Sequence, residues 1–334
     1  MGISILPCLT NENIKRKHCN NYNNIHKGHE VPENLEINNK NKSIDLSNKN
    51  NNKNILNHGL KNIGNSCYMN SFIQILLHCP FFIKCLEKEI SSKNNYSLAK
   101  YLVKLSEEKD TEYIKRIREI MEFYYDDFKI NQQCDSQNFG IKLIERIIRD
   151  IKGENDSTLS VKLDINKYIK EEIPLEKLFV LIVKENKFYS TFKNQMFSLE
   201  LDIQLSFSYN NNYKYKLEDL LAEKYDSIKI QKLPKILIIT IERAILGKKY
   251  NKNELEYPKE LNMQKFSNKD KRIEYKYKIF AINIKYGEHR KAGHYFSYIK
   301  INDIWYLFDD LNVKKENPKK TSGDIVGLFY SQKN

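Results

Sequence analysis

The chain has 334 residues, a formal net charge of +13, 40 % apolar residues and 12 % aromatic residues. That length suits one large domain or two small ones, with ample material for a packed core. The charge does not point to nucleic acid, because the lysines alternate with Glu and Asp and no reader module is visible; a Lys-rich solvated surface is the simpler reading.

The opening segment, Met1 to Cys8, is apolar but lacks the basic flank and long apolar run of a signal peptide. Gly2 does not fit a myristoylation motif, which wants Ser or Thr where Leu6 sits. Residues 1–58 read as a disordered tail. From Glu36 to Asn57 they are dominated by Asn and Lys, and the isolated Ile and Leu show no period, so little apolar surface is available to offset ordering entropy. No run approaches the roughly 18 apolar residues of a membrane span. The cysteines are Cys8, Cys19, Cys67, Cys79, Cys85 and Cys134, with no C-x-x-C pair. A disulfide scaffold is implausible at this density, which favours a reducing compartment, cytosol or nucleus.

Order is expected from Gly59-Leu60. Gly64-Asn65 marks a turn, and a helix follows from Ser66, capped by Ser66 or Asn65. Met69, Phe72, Ile73, Leu76 and Leu77 give it one apolar face. Cys79 and Cys85 read as small buried hydrophobes beside Leu77, Phe81, Phe82 and Leu86. Further helices are predicted over Ser97–Glu107, Glu112–Tyr125 and Ser136–Ile151. After Gly153 the texture turns to strands: Leu178–Val183, Met196–Ile203, Ile236–Ile241, Tyr277–Ile284, His294–Ile301, Ile304–Phe308 and Ile325–Tyr330. Helices first and strands later indicate an α+β fold.

A cysteine nucleophile needs a base, a group that orients the base, and donors for the developing oxyanion. Cys67 stands where a turn becomes a helix, and a helix N-terminus stabilises a thiolate. His294 opens a strand directly after Gly293; His78 reads as structural and His289 as part of a charged loop. If Ile304–Phe308 returns antiparallel to His294–Ile301 through a turn at Asn302-Asp303, then Asp309 and Asp310 come back beside His294. On these grounds alone, Cys67 is either a reactive thiol or a buried hydrophobe, His294 either a base or a rigid structural residue, and the acids either an orienting group or a polar turn.

Longer patterns decide among these. Gly59-Leu-Lys-Asn-Ile-Gly-Asn-Ser-Cys-Tyr-Met-Asn-Ser-Phe-Ile-Gln74 resembles the cysteine box of the ubiquitin-specific proteases. Gly293-His-Tyr-Phe-Ser-Tyr298 with Trp305-Tyr-Leu-Phe-Asp-Asp310 resembles their histidine box. Gln133-Cys-Asp-Ser-Gln-Asn-Phe139, Lys232 to Arg243, Tyr257-Pro-Lys-Glu-Leu261 and Ile325 to Tyr330 are similar to further family segments. The resemblance implies a catalytic domain over 59–331 with a papain-like fold: a helical thumb, a β-rich palm and reduced β-fingers. It implies Cys67 as nucleophile, His294 as general base and acid, Asp309 as orienting acid and Asn62 as oxyanion donor, with Asp310 in support. Gln133, Asp135, Gly293 and Tyr295 are the implied substrate-binding residues. Ubiquitin or its conjugates are the implied partners of a monomer that needs neither cofactor nor nucleic acid nor membrane.

The departures narrow this. Family fingers commonly carry two zinc-binding C-x-x-C pairs, and no cysteine follows Cys134 here. A Cys-based metal site is therefore excluded there. Asn138 stands where the family often has Glu, and Ala244 where an aromatic often follows Arg. These leave room for a ubiquitin-like modifier as substrate, or for a ubiquitin-binding module with little activity.

Overall fold

The computed structural model describes residues 58–333, apart from 93–96, 109, 131, 154–169, 171, 190–191, 208–213, 227–228, 245–249, 268–274 and 290–291. The expected tail over 1–58, apart from His58, lies outside the described residues. Five helices come first: α1 Cys67–Leu77, α2 Phe82–Ser92, α3 Ser97–Glu108, α4 Thr111–Tyr124 and α5 Ser136–Lys152. The bounds of α3, α4 and α5 fall within one residue of expectation, because both α4 and α5 begin at an acidic cap. Asp110 accepts from the Glu112 N–H, and Asp135 accepts from the N–H groups of Gln137 and Asn138. Helix α2 was not expected; it follows the tight turn at Cys79–Phe81 and buries Phe82 and Leu86. Cys79 is buried as expected, whereas Cys85 is only half-buried.

The remaining elements are α6 Pro174–Phe179, β1 Leu181–Tyr189, β2 Phe192–Glu200, β3 Ile203–Ser206, β4 Tyr215–Lys216, α7 Leu217–Lys224, β5 Lys229–Lys232, β6 Ile236–Glu242, β7 Leu255–Glu256, β8 Glu260–Asn262, β9 Lys276–His289, β10 Ala292–Ile301, β11 Ile304–Asp309, β12 Asn312–Lys315, β13 Thr321–Ser322 and β14 Ile325–Gln332. Two strand expectations need correction. Leu178 and Phe179 end a helix, since Pro174 opens α6 and the Glu176 carboxylate accepts from the Ile173 N–H. The stretch from Met196 to Ile203 is two strands, β2 and β3, broken by a bend at Leu201-Asp202. His289 is the last residue of β9 and not part of a loop.

The main sheet runs β12-β11-β10-β9-β14-β6-β3, with β8 also on β9. Its strands alternate. Phe280, Ile299 and Phe329 join the helices in one core, while Ile282, Ile284, Leu328 and Tyr330 pack with α7 in a second. Two smaller sheets, β2-β1-β5 and β13-β7-β4, complete the topology. The β1/β2 hairpin with β5 occupies the region of the expected fingers, and its backbone pairs from Leu181↔Glu200 to Tyr189↔Phe192.

Helix α1 lies between α5 and strand β10, so every one of its 11 residues is buried, not only the expected apolar face. Phe72 meets Phe329 edge to face at 5.4 Å, and Tyr68 meets Phe139 at 5.6 Å. Two amide side chains of α1 donate to backbone carbonyls. Gln74 donates to the His58 carbonyl, and Asn70 donates to the Leu60 and Lys61 carbonyls. No single described helix is long and apolar enough to cross a membrane.

Candidate active site

The loop before α1 is shaped by its own side chains. Gly64 and Asn65 both have positive φ, 95° and 47°. The Asn62 Oδ1 accepts from the backbone N–H groups of Gly64 (3.1 Å) and Ser66 (3.2 Å), which fixes the amide in the fold of the turn. Its Nδ2 then donates to Asp310 Oδ2 at 2.9 Å. An amide nitrogen carries two N–H donors, and this bond uses one.

Cys67 is the first residue of α1 and is 4 % exposed. Its backbone therefore sits at the N-terminus of the helix. Opposite, β10 and β11 pair antiparallel from Ser297↔Phe308 to Ile301↔Ile304, through a turn at Asn302 and Asp303, both with positive φ. The far end of β11 thereby returns to the start of β10, where His294 Nε2 and Asp309 Oδ1 lie 2.5 Å apart. With Nε2 on Asp309, Nδ1 is the ring nitrogen left for the thiol. The half-buried imidazole is pushed up to about 9, chiefly by its hydrogen bond with Cys67; burial opposes this, and the bond to Asp309 adds to it.

The Asp310 carboxylate, close to His294, takes other partners. Its Oδ1 accepts from Asn70 Nδ2 at 2.7 Å, its Oδ2 from Asn62, and its backbone oxygen from the Leu60 N–H at 2.8 Å. Gly59 permits this approach, because a Cβ there would lie 2.3 Å from the Asp310 oxygen.

Beside this centre lies a cleft of about 750 Å³ between the start of α5 and strands β6 and β9. Of the four expected substrate-binding residues, Gln133 and Asp135 line it, and Gly293 and Tyr295 are hydrogen-bonded to those two. Gln133 Oε1 accepts from the Gly293 N–H at 3.0 Å, holding the residue before His294. Gly293 has to be glycine, since a Cβ would sit 2.7 Å from the Tyr286 oxygen. Asp135 uses Oδ1 to cap α5 and Oδ2 to accept from the Tyr295 hydroxyl at 3.2 Å. Tyr295 is 3 % exposed, and burial raises its phenol far above the usual range.

Several residues of the site were given no role from the sequence. Lys285, 3 % exposed, lines the cleft with its ammonium 4.8 Å from the Tyr250 ring and 5.5 Å from the Tyr295 ring. Arg243 is buried, its guanidinium donating to the carbonyls of Ile325, Asn251 and Asn253, and burial lowers it to about 10. Asn70 reads in sequence only as a polar position on an apolar helix. Among the described residues, one group brings potential metal-ligand atoms within 4.8 Å of one another: His294, Asp309 and Asp310. Both Asp310 oxygens already accept from Asn62 and Asn70, so the donor set is committed to the site's own hydrogen bonds.

The arrangement can generate a nucleophilic thiolate, shuttle one proton and stabilise one developing oxyanion. Known proteins agree in family. Ubiquitin C-terminal hydrolase 13 of Arabidopsis thaliana is 24 % identical over 305 residues, 80 % of this chain and 26 % of that protein. Ubiquitin carboxyl-terminal hydrolase 4 of the same plant is 25 % identical over 312 residues, 77 % of this chain and 84 % of the relative. The chain thus spans about a quarter of the first relative and most of the second. Among solved structures, the Ubp8/Sgf11/Sus1/Sgf73 deubiquitinating module bound to ubiquitin aldehyde aligns with a TM-score of 0.66 at 17 % identity, covering 84 % of this chain and 70 % of that one. That likeness carries the fold, the papain-like α+β arrangement of thumb and palm. The family profile described as ubiquitin carboxyl-terminal hydrolase matches residues 58–330. The chain belongs to the ubiquitin carboxyl-terminal hydrolase family.

Proposed function

We propose that this chain is a thiol-dependent deubiquitinase that hydrolyses the peptide or isopeptide bond after the C-terminal glycine of ubiquitin. The observation that carries the reading is His294, hydrogen-bonded to Asp309 and close enough to Cys67 for the thiol to raise the imidazole. The Cys67 sulfur attacks the glycine carbonyl carbon while His294 holds the thiol proton. The carbonyl electrons move to oxygen, which the free N–H of the Asn62 amide receives; such a donor is worth about 3 kcal/mol in the transition state. Collapse breaks the C–N bond, and His294 passes its proton to the leaving lysine amine. The resulting thioester is cleaved by a water that gives a proton to His294, releasing the modifier's carboxylate and restoring the thiol. Asp309 keeps the imidazole oriented through both halves.

The 750 Å³ cleft is the route proposed for the modifier's tail, because its walls reach the residues on either side of His294. Residues 59–331 form the proposed catalytic domain, with 1–58 as a tail, acting as a monomer in the cytoplasm or nucleus. A second reading, a protease for a ubiquitin-like modifier, draws support from the cleft's charge. Asn138 is a neutral exposed residue at the start of α5, and Lys285 adds a cation, so the basic tail of ubiquitin meets fewer carboxylates.

Ubiquitin carrying a C-terminal electrophile should modify the wild-type chain at Cys67 and leave Cys67→Ala untouched. Equal behaviour of the two proteins in a folded sample would overturn the proposal. The same probe built on other modifiers separates the two readings.

A further inference from the structure

The side chain that orders the oxyanion loop comes from a helix no motif touches. Arg118, on α4, is 3 % exposed, yet its guanidinium is aimed at main-chain carbonyls of two loops. Nη1 donates to the Gly64 oxygen at 2.7 Å and reaches the Ile63 oxygen at 3.5 Å; Nη2 donates to the Lys129 oxygen at 3.3 Å. Gly64 and Asn65 are both in the positive-φ region, so the loop has an unusual backbone that needs an external hold. The Gly64 N–H donates to Asn62 Oδ1 at 3.1 Å. A relay therefore runs from the guanidinium, through residue 64, to the amide that donates to Asp310.

We propose that Arg118 is a positioning residue that acts on catalysis through Asn62, setting the direction of the oxyanion donor without touching substrate. The inference rests on the reading of Asn62 given above. A charge-assisted bond to a carbonyl is stronger and more directional than a neutral one, and a donor displaced by a fraction of an ångström loses much of its effect on a developing charge. The role concerns only steps that build an oxyanion. Displacement of halide from a C-terminal haloalkyl group on ubiquitin forms an S–C bond at a saturated carbon, breaks the C–halogen bond and releases halide; no oxyanion forms. Hydrolysis of a C-terminal ubiquitin amide does build one.

Two rates are measured on the full chain: turnover of ubiquitin bearing a C-terminal amide-linked fluorophore, and alkylation of Cys67 by the haloalkyl ubiquitin. Arg118→Met should lower kcat on the order of tenfold, below the roughly 100-fold or greater loss for removing the donor itself, with KM and alkylation changed less than about twofold. Arg118→Lys, which keeps one charged donor, should recover part of the loss. Added to Asn62→Ala, Arg118→Met should cost little more, since the group it positions is gone. Parallel loss of alkylation and turnover would assign Arg118 a general structural role and overturn the proposal, as would independent, multiplying losses in the double variant. Should Arg118→Met not fold, the Lys variant carries the same comparison, and full activity there sinks it. A wild-type chain that alkylates but does not turn over would overturn the oxyanion reading; one that does neither would overturn the proposed function.

Discussion

Asp310 Oδ2 accepts a hydrogen bond from Asn62 Nδ2 at 2.9 Å, joining residues 248 positions apart in the chain. The contact ties the loop before Cys67 to the strand end that carries Asp309, the partner of His294. The second Asp310 oxygen holds Asn70 on α1 itself. The two adjacent acids thus divide their work: Asp309 faces the imidazole and Asp310 the amides. Asp310→Ala should lower kcat for ubiquitin-amide hydrolysis by about tenfold, because Asn62 loses the partner that aims its second N–H. KM should change little. Unchanged kcat in a folded Asp310→Ala variant would count against that division.

The imidazole pushed up to about 9 sets a pH dependence. His294 must carry a proton to the leaving amine, so the kcat/KM profile should fall above about pH 9. Asp309→Asn removes one of the influences holding the imidazole up. The alkaline limb should then move to lower pH, with kcat reduced by roughly 100-fold or more from loss of orientation. Linkage has the same sign. The raised imidazole contributes stability that is complete below its ordinary value of 6.5 and is lost as pH rises through about 9. An alkaline limb unmoved by Asp309→Asn would contradict the pairing.

Gly140 on α5 sits against the Phe72 ring, and a Cβ there would lie 2.2 Å from ring carbons. Gly140→Ala should destabilise the fold by about 1–3 kcal/mol through overpacking, since the ring is pinned from behind by Phe329. Thermal unfolding reads this as a lower Tm, and Phe72→Leu in the same chain should recover part of it. A Tm equal to wild type would show that the helices can part at no cost.

Asn138 is exposed at the first turn of α5 beside the cleft. Asn138→Glu adds a carboxylate where the tail is proposed to enter. For a ubiquitin substrate KM should fall several-fold at low salt, and the gain should shrink as ionic strength rises. A ubiquitin whose tail arginines are replaced by neutral residues should show no such gain. Equal gains for both substrates would mean the new charge acts elsewhere, for instance on the helix dipole alone.

The candidate site was legible in the sequence because its parts are local patterns. A thiol at the start of α1, a histidine after Gly293 and an acid after β11 are each fixed by turn residues within a few positions. The return of Asp309 to His294 followed from strand periodicity and a two-residue turn, which allow only one antiparallel register. The helices α3, α4 and α5 were legible for the same reason, through caps and spacing. Helix α2 was not, and the strand expected from Leu178 began only at Leu181, because short apolar runs do not distinguish helix from strand by period.

What the sequence determined by itself was the family, through patterns that depend only on which residues are present, and the candidates for the reacting groups. What only the tertiary structure decided was how those groups are held. Arg118 at the Gly64 carbonyl, Asn70 on Asp310 and Lys285 against Tyr250 and Tyr295 join residues far apart in the chain, with no spacing that links them. Burial turns each into a directional contact, because a polar side chain taken out of water must find its partner across the fold. Such partners are chosen by packing, and packing is not written in any local pattern.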